Sequence, residues 1–282
     1  SRCRNCAEVK RTQSGGGFVC IGGIVGTASG TEAGVFLSEC SNDDKISCAG
    51  SAGTNPAMGG IIGRVACDGL VSDCSNLGSV VKSNNSSSEV RLGGIAGELT
   101  GSATIRNCTN GDATDETIGA VSDNAQSAAG PQRIGGIAGL QTGGSIDACL
   151  NYGKIFGASS SANAQELAGG IVGDHFAGEI NSCESFGEVS LSSTNADSSA
   201  GGLIGLHSGN SACSTGEGCK VNAIISCGAP TGAGLVVGRY SNSAACVLGS
   251  EISLISVGGW SVCGSDVTQE NYLDYVTGAS SG

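Results

Sequence analysis

A five-residue glycine run recurs along almost the whole chain and constrains the fold more than any other feature. The run is Gly-Gly-Ile-Val-Gly at residues 22–26. Further copies begin at residues 59, 93, 135, 169 and 201, and a degenerate copy occupies residues 234–238. The intervals between the first six copies are 37, 34, 42, 34 and 32 residues. Such a period is typical of proteins that stack one small structural unit many times.

A cysteine-centred element follows each glycine run. It consists of an aliphatic residue, two variable residues, the cysteine and, two positions later, usually an asparagine. Five copies are clear, and we assign two later cysteines to the same position, which gives a column of Cys40, Cys74, Cys108, Cys149, Cys183, Cys227 and Cys246. Glycine and a β-branched residue commonly come next, so each unit is predicted to contain three short β segments separated by glycine turns. Apolar runs this short, interrupted by glycine, disfavour helices.

These units predict an all-β fold, a parallel β-solenoid (β-helix) of about seven coils. Equivalent residues of successive coils would stack about 4.8 Å apart. The cysteine column becomes interior, and the asparagines fall at a turn where their amides can bond along the stack. The asparagine positions are Asn42, Asn76, Asn110 and Asn151. We expect a single domain, with an N-terminal cap at 1–20, repeats at 21–250 and a C-terminal cap and tail at 251–282.

Composition limits both the core and the partners. The chain has 50 glycines and only 4% aromatic residues, which predicts a thin core of small aliphatic side chains and cysteine. The net charge of −12 argues against binding to nucleic acid or to anionic lipid. No apolar stretch is long enough to predict a transmembrane segment. The small residues at 277–282 fit either a lipid-anchor attachment site or a flexible end.

The combined pattern, GGIxG followed by I-x-x-C-x-N-x-G-x-I, resembles the GLUG-type glycine-rich repeats of modular surface proteins, including adhesins and some secreted bacterial proteases. The resemblance covers about residues 21–250. It implies a parallel β-solenoid with a surface role, and it carries over no catalytic residue.

The chain contains 15 cysteines, which leaves eight outside the predicted column. We expect up to four disulfides among these eight, and Cys213 with Cys219 is the candidate pair because the two bracket a short insertion. A cytosolic chain with fifteen free thiols is the alternative. A metal site at Cys3 and Cys6 would need two further ligands that the sequence does not offer nearby. Asn84 and Asn85 are candidate glycosylation sites if the source is a eukaryote.

Catalytic signals are weak, and no cofactor is predicted. His175 and His207 each stand two residues after a glycine run and should stack on adjacent coils, either as a metal-binding or pH-responsive pair or as a featureless part of the repeat. The acidic residues that could cleave a polysaccharide fall at different phases of the repeat; they are Asp147, Asp174 and Glu179. The aromatic residues that could stack on sugars in the middle coils are few, namely Tyr152, Phe176 and Phe186.

We therefore predict a non-catalytic, adhesin-like protein, extracellular or at the cell surface, that binds a protein or glycan ligand through its loops. The variable stretches 83–91, 112–133, 157–167 and 191–199 share one phase of the repeat and should emerge on one side. An alternative from another class is a surface-coat or filament subunit that self-associates. A third and weaker hypothesis is a carbohydrate-active β-helix enzyme.

Overall fold

The computed structural model describes most of the repeat region and several shorter segments after it. The described residues are 2–12, 17–30, 35–49, 54–83, 89–124, 130–159, 163–209, 214–222, 224–228, 232–241, 247–248, 253–254, 260–262 and 265–267. They form no α-helix, and their strands are arranged in four sheets in which every strand pairing but one is parallel.

Each turn of the chain contributes strands to sheets 1, 2, 3 and 4 in that order. Sheet 1 contains Arg4–Asn5, Ser41–Asn42, Ser75–Asn76, Thr109–Asn110, Leu150–Asn151, Glu184–Ser185, Lys220–Val221 and Ser253–Leu254. Sheet 2 contains Val9–Arg11, Ile46–Cys48, Val80–Lys82, Val121–Asp123, Ile155–Gly157, Val189–Leu191, Ile225–Cys227, Trp260–Val262 and Ser265–Val267.

The glycine runs connect sheet 3 to sheet 4. Sheet 3 contains Gly17–Gly22, Thr54–Gly59, Val90–Gly93, Gln132–Gly135, Glu166–Gly169, Ser199–Gly201 and Ala233–Gly234. Sheet 4 contains Val25–Ser29, Val35–Ser38, Ile62–Ala66, Gly69–Ser72, Ala96–Thr100, Thr104–Arg106, Ala138–Asp147, Val172–Asn181, Ile204–His207, Ser214–Glu217, Val237–Tyr240 and Val247–Leu248.

The architecture is a parallel β-solenoid, which confirms the predicted fold class. Between the first and last described strands of sheet 3 the chain makes six complete turns. Residues in register on successive turns form columns that run along the solenoid, and we call each turn a rung. The register is regular; for example, Asn42 pairs with Asn76 and Asn76 with Asn110.

A ladder of buried asparagines runs along sheet 1, as predicted. Asn42 Nδ2 donates to Asn76 Oδ1 at 2.7 Å, and Asn76 and Asn110 donate in the same way to the next asparagine at 2.8 Å. The second hydrogen of each amide goes to a nearby backbone carbonyl, such as Gly78 O for Asn76 at 2.8 Å. Asn5 adds one more member to the ladder, which the sequence pattern missed. The ladder ends at Ser185, whose shorter hydroxyl replaces the amide.

The glycine runs are required because backbones approach each other closely beside this ladder. An ideal Cβ on Gly93 would lie 1.9 Å from Ala96 O, which no side chain can tolerate. A Cβ on Gly94 would lie 2.2 Å from both Asn110 Cγ and Gly136 O. The asparagine ladder therefore fits only because the residues packed beside it are glycines.

The interior is narrow and aliphatic, as the composition predicts. Among the described residues the large fully buried apolar side chains include Ile46, Met58, Ile61, Ile62, Leu92, Ile95, Leu99, Ile105, Ile134, Ile137 and Ile146. None of them is aromatic, so each rung fills its cross-section with a few side chains of similar size. Burying these side chains stabilises the solenoid by about 1.5–3 kcal/mol for each large residue.

A left-handed backbone residue precedes each column cysteine and turns the chain from sheet 4 into sheet 1. The φ angles are 54° at Glu39, 55° at Asp73, 52° at Asn107, 50° at Ala148 and 52° at Ser182. Non-glycine residues rarely adopt this conformation, and it costs about 1 kcal/mol or more at each site. The rung-to-rung hydrogen bonds on either side of the turn offset this cost.

Parts of both predicted caps are described, and these parts pair with the solenoid. In the first segment, Arg4–Asn5 and Val9–Arg11 pair in register with the next rung. At the other end, Ser265–Val267 pairs antiparallel with Trp260–Val262. Ser265–Val267 is thus the last strand of sheet 2 within the described residues. The assignment of 1–20 and 251–282 as caps otherwise stays a prediction.

Replacing Asn110 by alanine tests the ladder. The substitution leaves Asn151 Oδ1 and Gly119 O without their donor and deprives Asn76 Nδ2 of an acceptor. Buried polar groups that lose a partner cost about 1–3 kcal/mol each, so we expect the free energy of unfolding to fall by about 3 kcal/mol or more. The measurement is denaturant unfolding followed by circular dichroism.

Asn5→Ala is the matched control, because Asn5 stands at the end of the ladder and donates to a single asparagine. We expect it to lose less than half as much stability. Equal losses for the two variants would contradict the ladder as a cooperative element.

Candidate functional site

The structure places five of the predicted column cysteines together in the interior. Cys40, Cys74, Cys108, Cys149 and Cys183 are at most 1% exposed and stand in register on successive rungs. Several donate weakly to backbone carbonyls; Cys74 Sγ, for example, lies 3.1 Å from Ser72 O. The column is therefore a packing element in which the thiol is a small, soft side chain.

The assignment of Cys227 to this column is wrong. Cys227 pairs with Leu191 on sheet 2, whereas the neighbour of Cys183 is Cys219. The backbone N–H of Cys183 donates to Cys219 Sγ at 3.3 Å, and Gly218 supplies the left-handed turn with a φ of 63°. Glycine before Cys219 was the signal in the sequence, because glycine favours that conformation.

The candidate disulfide between Cys213 and Cys219 is not found. Cys219 is a fully buried free thiol, and Cys213 lies outside the described residues. All twelve of the described cysteines are free thiols, so the predicted disulfide framework is absent from that part of the chain. Cys246, the glycosylation candidates Asn84 and Asn85, and the tail at 277–282 also lie outside the described residues.

The predicted histidine stack is present, and it is buried. His175 and His207 are in register, with Nδ1 atoms 3.0 Å apart and ring centroids 5.2 Å apart. His207 Nδ1 also lies 3.1 Å from His175 O, which fits a proton on His207 Nδ1 that both acceptors share. Leu99 and Gln141 occupy the same column on the two preceding rungs, and both are buried. Among the described residues no group of three or more metal-ligating side chains surrounds this pair.

A chain of ion pairs joins sheets 3 and 4 across the glycine runs. It alternates basic and acidic residues in the order Arg64, Glu98, Arg91, Glu89, Arg133 and Asp174. The shortest links are Arg91–Glu89 and Arg133–Asp174, both at 2.7 Å. Phe18 packs under two of the guanidinium groups, whose centres are 5.1 and 5.4 Å from the ring. Each carboxylate has an arginine partner, so this cluster is suited to holding rungs together.

A second polar cluster lies inside the solenoid, between sheets 2 and 3. Lys82 and Asp123 are neighbours in register, and both are fully buried along with Glu166. Burial lowers the pKa of Lys82. Burial also raises the pKa of Glu166 to about 7; the charge of Asp123 adds to the rise, and N–H donors, including Ser159 at 2.8 Å, oppose it. This buried group had no signal in the sequence, because it interrupts the apolar pattern without repeating.

The predicted loop 112–133 divides into two parts. The second part follows the sheet 2 strand Val121–Asp123 and precedes the sheet 3 strand Gln132–Gly135, and in the chain the stretches after Lys82, Gly157 and Leu191 have the same position. Residues 112–118 instead lie between sheets 1 and 2. Ten residues, 111–120, join Thr109–Asn110 to Val121–Asp123, whereas three residues make this connection in the neighbouring rungs. The prediction that all variable stretches emerge on one side is therefore wrong for 112–118.

This insertion is closed at its base. Asn110 Nδ2 donates to Gly119 O at 2.8 Å, so Gly119 takes the place that Gly78 and Gly153 have in adjacent rungs. The two ends of the insertion meet, since an ideal Cβ on Gly119 would lie 2.4 Å from Gly111 N. The solenoid thus continues undisturbed beneath residues 112–118.

Hydrogen bonds shape the insertion and hold it against the next rung. Asp112 Oδ1 accepts from the backbone N–H of Thr114 at 2.8 Å and from its hydroxyl, and Asp115 Oδ1 accepts in the same way from Thr117, with the N–H at 2.9 Å. These bonds lower the pKa of both carboxyl groups, which are therefore ionised at neutral pH. The backbone carbonyl of Glu116 accepts from Lys154 N at 2.9 Å.

Two aromatic rings stand beside the insertion on successive rungs. Tyr152 and Phe186 are half-buried and stacked, with centroids 4.8 Å apart and planes inclined by 11°. Phe176, the third aromatic candidate, lies on sheet 4 instead. The insertion and the two rings line a pocket of about 400 Å³ that is open to solvent. Its lining, which we call the trench, consists of residues 112–116, Tyr152, Phe186 and Asn222.

No protein family, curated protein or solved structure matches the chain. The resemblance to GLUG-type repeats therefore stays a prediction, although the solenoid is the fold that it implies. Within the described segments there is no helix with the length and apolarity to span a membrane.

The cysteine column should resist alkylation in the native protein. Hydrogen bonding to Cys108 and burial raise the pKa of Cys74, and burial raises that of Cys149 and Cys183, so little reactive thiolate forms. We expect iodoacetamide to modify the exposed Cys3 and Cys6 at least a hundredfold faster, as measured by mass spectrometry of the peptides. Similar rates for both groups in folded protein would contradict the buried column.

Glu166 should make stability depend on pH. Its pKa in the folded protein, about 7, is above the ordinary value of 4.5, so the folded state binds the proton more tightly. The resulting stabilisation is complete below about pH 4.5 and is lost as the pH rises through about 7. We expect Glu166→Gln to remove most of this decline in urea-unfolding experiments between pH 4.5 and 8. A variant with an unchanged pH profile would show that Glu166 does not titrate in this range.

Proposed function

We propose that this chain is a non-catalytic, adhesin-like β-solenoid that is secreted or displayed at the cell surface and binds its ligand in the trench. The observation that carries the proposal is the insertion 112–118, which departs from the repeat and forms an open pocket against the stacked rings of Tyr152 and Phe186.

The trench combines the usual properties of a binding site. It is concave, and it joins an apolar strip to a few polar groups at its rim. Its insertion is held by internal hydrogen bonds, while the rings stand on strand-flanking positions of a stacked scaffold. A rigid scaffold that carries a variable loop is a common arrangement for recognition.

The arrangement of charged groups supports a non-catalytic role. The carboxylates of Glu89, Glu98 and Asp174 pair with arginines between sheets 3 and 4, where they link rungs. Asp147 pairs with Arg106 at 3.0 Å. Paired carboxylates of this kind are poorly suited to act as general acids. The surface location is supported by the resemblance of the repeats to GLUG-type modules of surface proteins.

Retention of the full chain on a panel of immobilised surfaces tests the proposal. The panel contains neutral glycans, acidic glycans, extracellular-matrix proteins and oligolysine. We expect a monomer that is retained on one of these surfaces. We further expect Tyr152→Ala, Phe186→Ala and the replacement of 111–120 by Leu-Gly-Ser, the connection at 77–79, each to weaken retention by about tenfold or more, because they remove the walls of the trench.

Phe36→Ala is the matched control, because Phe36 is an exposed aromatic residue (73%) on sheet 4 and outside the trench. It should leave retention unchanged. Absence of retention on every surface would overturn the proposal. Self-association that increases with protein concentration would favour the alternative hypothesis of a coat or filament subunit.

A further inference from the structure

We infer that the trench binds an uncharged oligosaccharide that lies along the solenoid axis and covers at least two sugar units. This inference rests on the proposed function and adds the chemical class and the orientation of the ligand.

The aromatic strip determines the orientation. Tyr152 and Phe186 stand on adjacent rungs, and adjacent rungs are about 4.8 Å apart along the axis. Asn222 extends the same side of the trench by one further rung, since Lys220–Val221 pairs with Glu184–Ser185. A ligand that touches all three residues must be extended and must run parallel to the axis.

The geometry of the rings favours a sugar over a cation. Tyr152 and Phe186 stack with centroids 4.8 Å apart and planes inclined by 11°, so each ring covers one face of the other and the side of the stack consists of C–H edges. Recognition of a cation works best with rings placed around one point, as in an aromatic cage. The edge of an aromatic ring carries positive partial charge, which repels a cation but suits the C–H groups and oxygen atoms of an uncharged sugar.

The rim of the trench offers partners for hydroxyl groups. Oδ1 of Asp112 and Oδ1 of Asp115 accept hydrogen bonds in the turns of the insertion. These bonds fix each carboxylate, so the second oxygen, Oδ2, is also held in place. Because the pKa of both groups is lowered, these oxygens are acceptors at neutral pH. Hydroxyl groups donate well to carboxylates, and such charge-assisted bonds are short and strong. The ligand should therefore be rich in hydroxyl donors.

Charge excludes acidic sugars. Asp112, Asp115 and Glu116 line the trench, and the whole chain has a net charge of −12. Lys154, a base on the neighbouring rung, is paired with Glu188 at 2.6 Å. A uronate or sulfate group would bring like charges together, which disfavours binding. Neutral sugars satisfy both the apolar strip and the acceptors at the rim.

Isothermal titration calorimetry on the full chain tests the inference. The probes are neutral gluco-, manno-, xylo- and galacto-oligosaccharides of one to six units, oligogalacturonate and oligolysine. We expect one neutral series to bind, with affinity that increases by about tenfold or more between one and three units and changes little with salt. Tyr152→Ala and Phe186→Ala should each weaken that binding by about tenfold.

Three further variants test whether the effect is specific to the trench. Asp115→Asn removes the charge but retains an acceptor, so neutral-sugar binding should fall by less than for Tyr152→Ala. Phe36→Ala should have no effect. Thermal unfolding of each variant checks that it remains folded, and Tyr152→Phe, which keeps the ring, should retain most of the affinity.

The outcomes separate the inference from the proposed function. Binding of oligolysine alone, lost at high salt, would overturn the sugar inference and leave a trench that binds a basic peptide. Binding of oligogalacturonate alone would also overturn it. Binding of a matrix protein without any sugar would show that the trench binds a protein. Absence of binding to every probe and surface would overturn both proposals.

Discussion

Rung-to-rung stacking of the asparagine amides is the interaction on which the rest of the solenoid depends. Each buried amide donates once along the stack and once to its own turn, so it fixes both the register of sheet 1 and the shape of the corner. The second glycine of each run leaves the space that this amide occupies, as the contacts of Gly94 with Asn110 show. Register set at this corner then positions the aliphatic core, the cysteine column and the ion pairs between sheets 3 and 4.

Repetition makes much of this arrangement predictable from the sequence. A residue that recurs at the same phase must form a column, which is why the spacing of the repeats alone predicts the asparagine ladder and the contact between His175 and His207. Prediction fails where a single rung departs from the period. Cys227 has the local pattern of a column cysteine, but the pairing of Lys220 with Glu184 places Cys219 there.

The trench was not predictable for a related reason. The stretch 112–133 reads as one variable loop in the sequence, although Gly119 occupies the position of Gly78 and Gly153 and so divides it. Tyr152 and Phe186 stand at the same phase, but only the insertion in the preceding rung converts them from an exposed stack into a wall of a pocket. The buried group of Lys82, Asp123 and Glu166 is equally local. Periodicity predicts the contacts that recur on every rung, whereas the trench and the buried polar group are formed by residues that occur on single rungs.

The closed base of the insertion has a consequence for how such a chain can change. Gly111 and Gly119 meet beneath residues 112–118, and the amide of Asn110 binds Gly119 as its counterparts bind the glycine of an uninterrupted turn. The stack is closed beneath the inserted segment, which bonds to the next rung through the backbone carbonyl of Glu116. Substitution, lengthening or exchange of those residues alters the surface and leaves the register of the stack intact. The corner is thus a natural grafting point, where recognition can diversify while the fold remains constant.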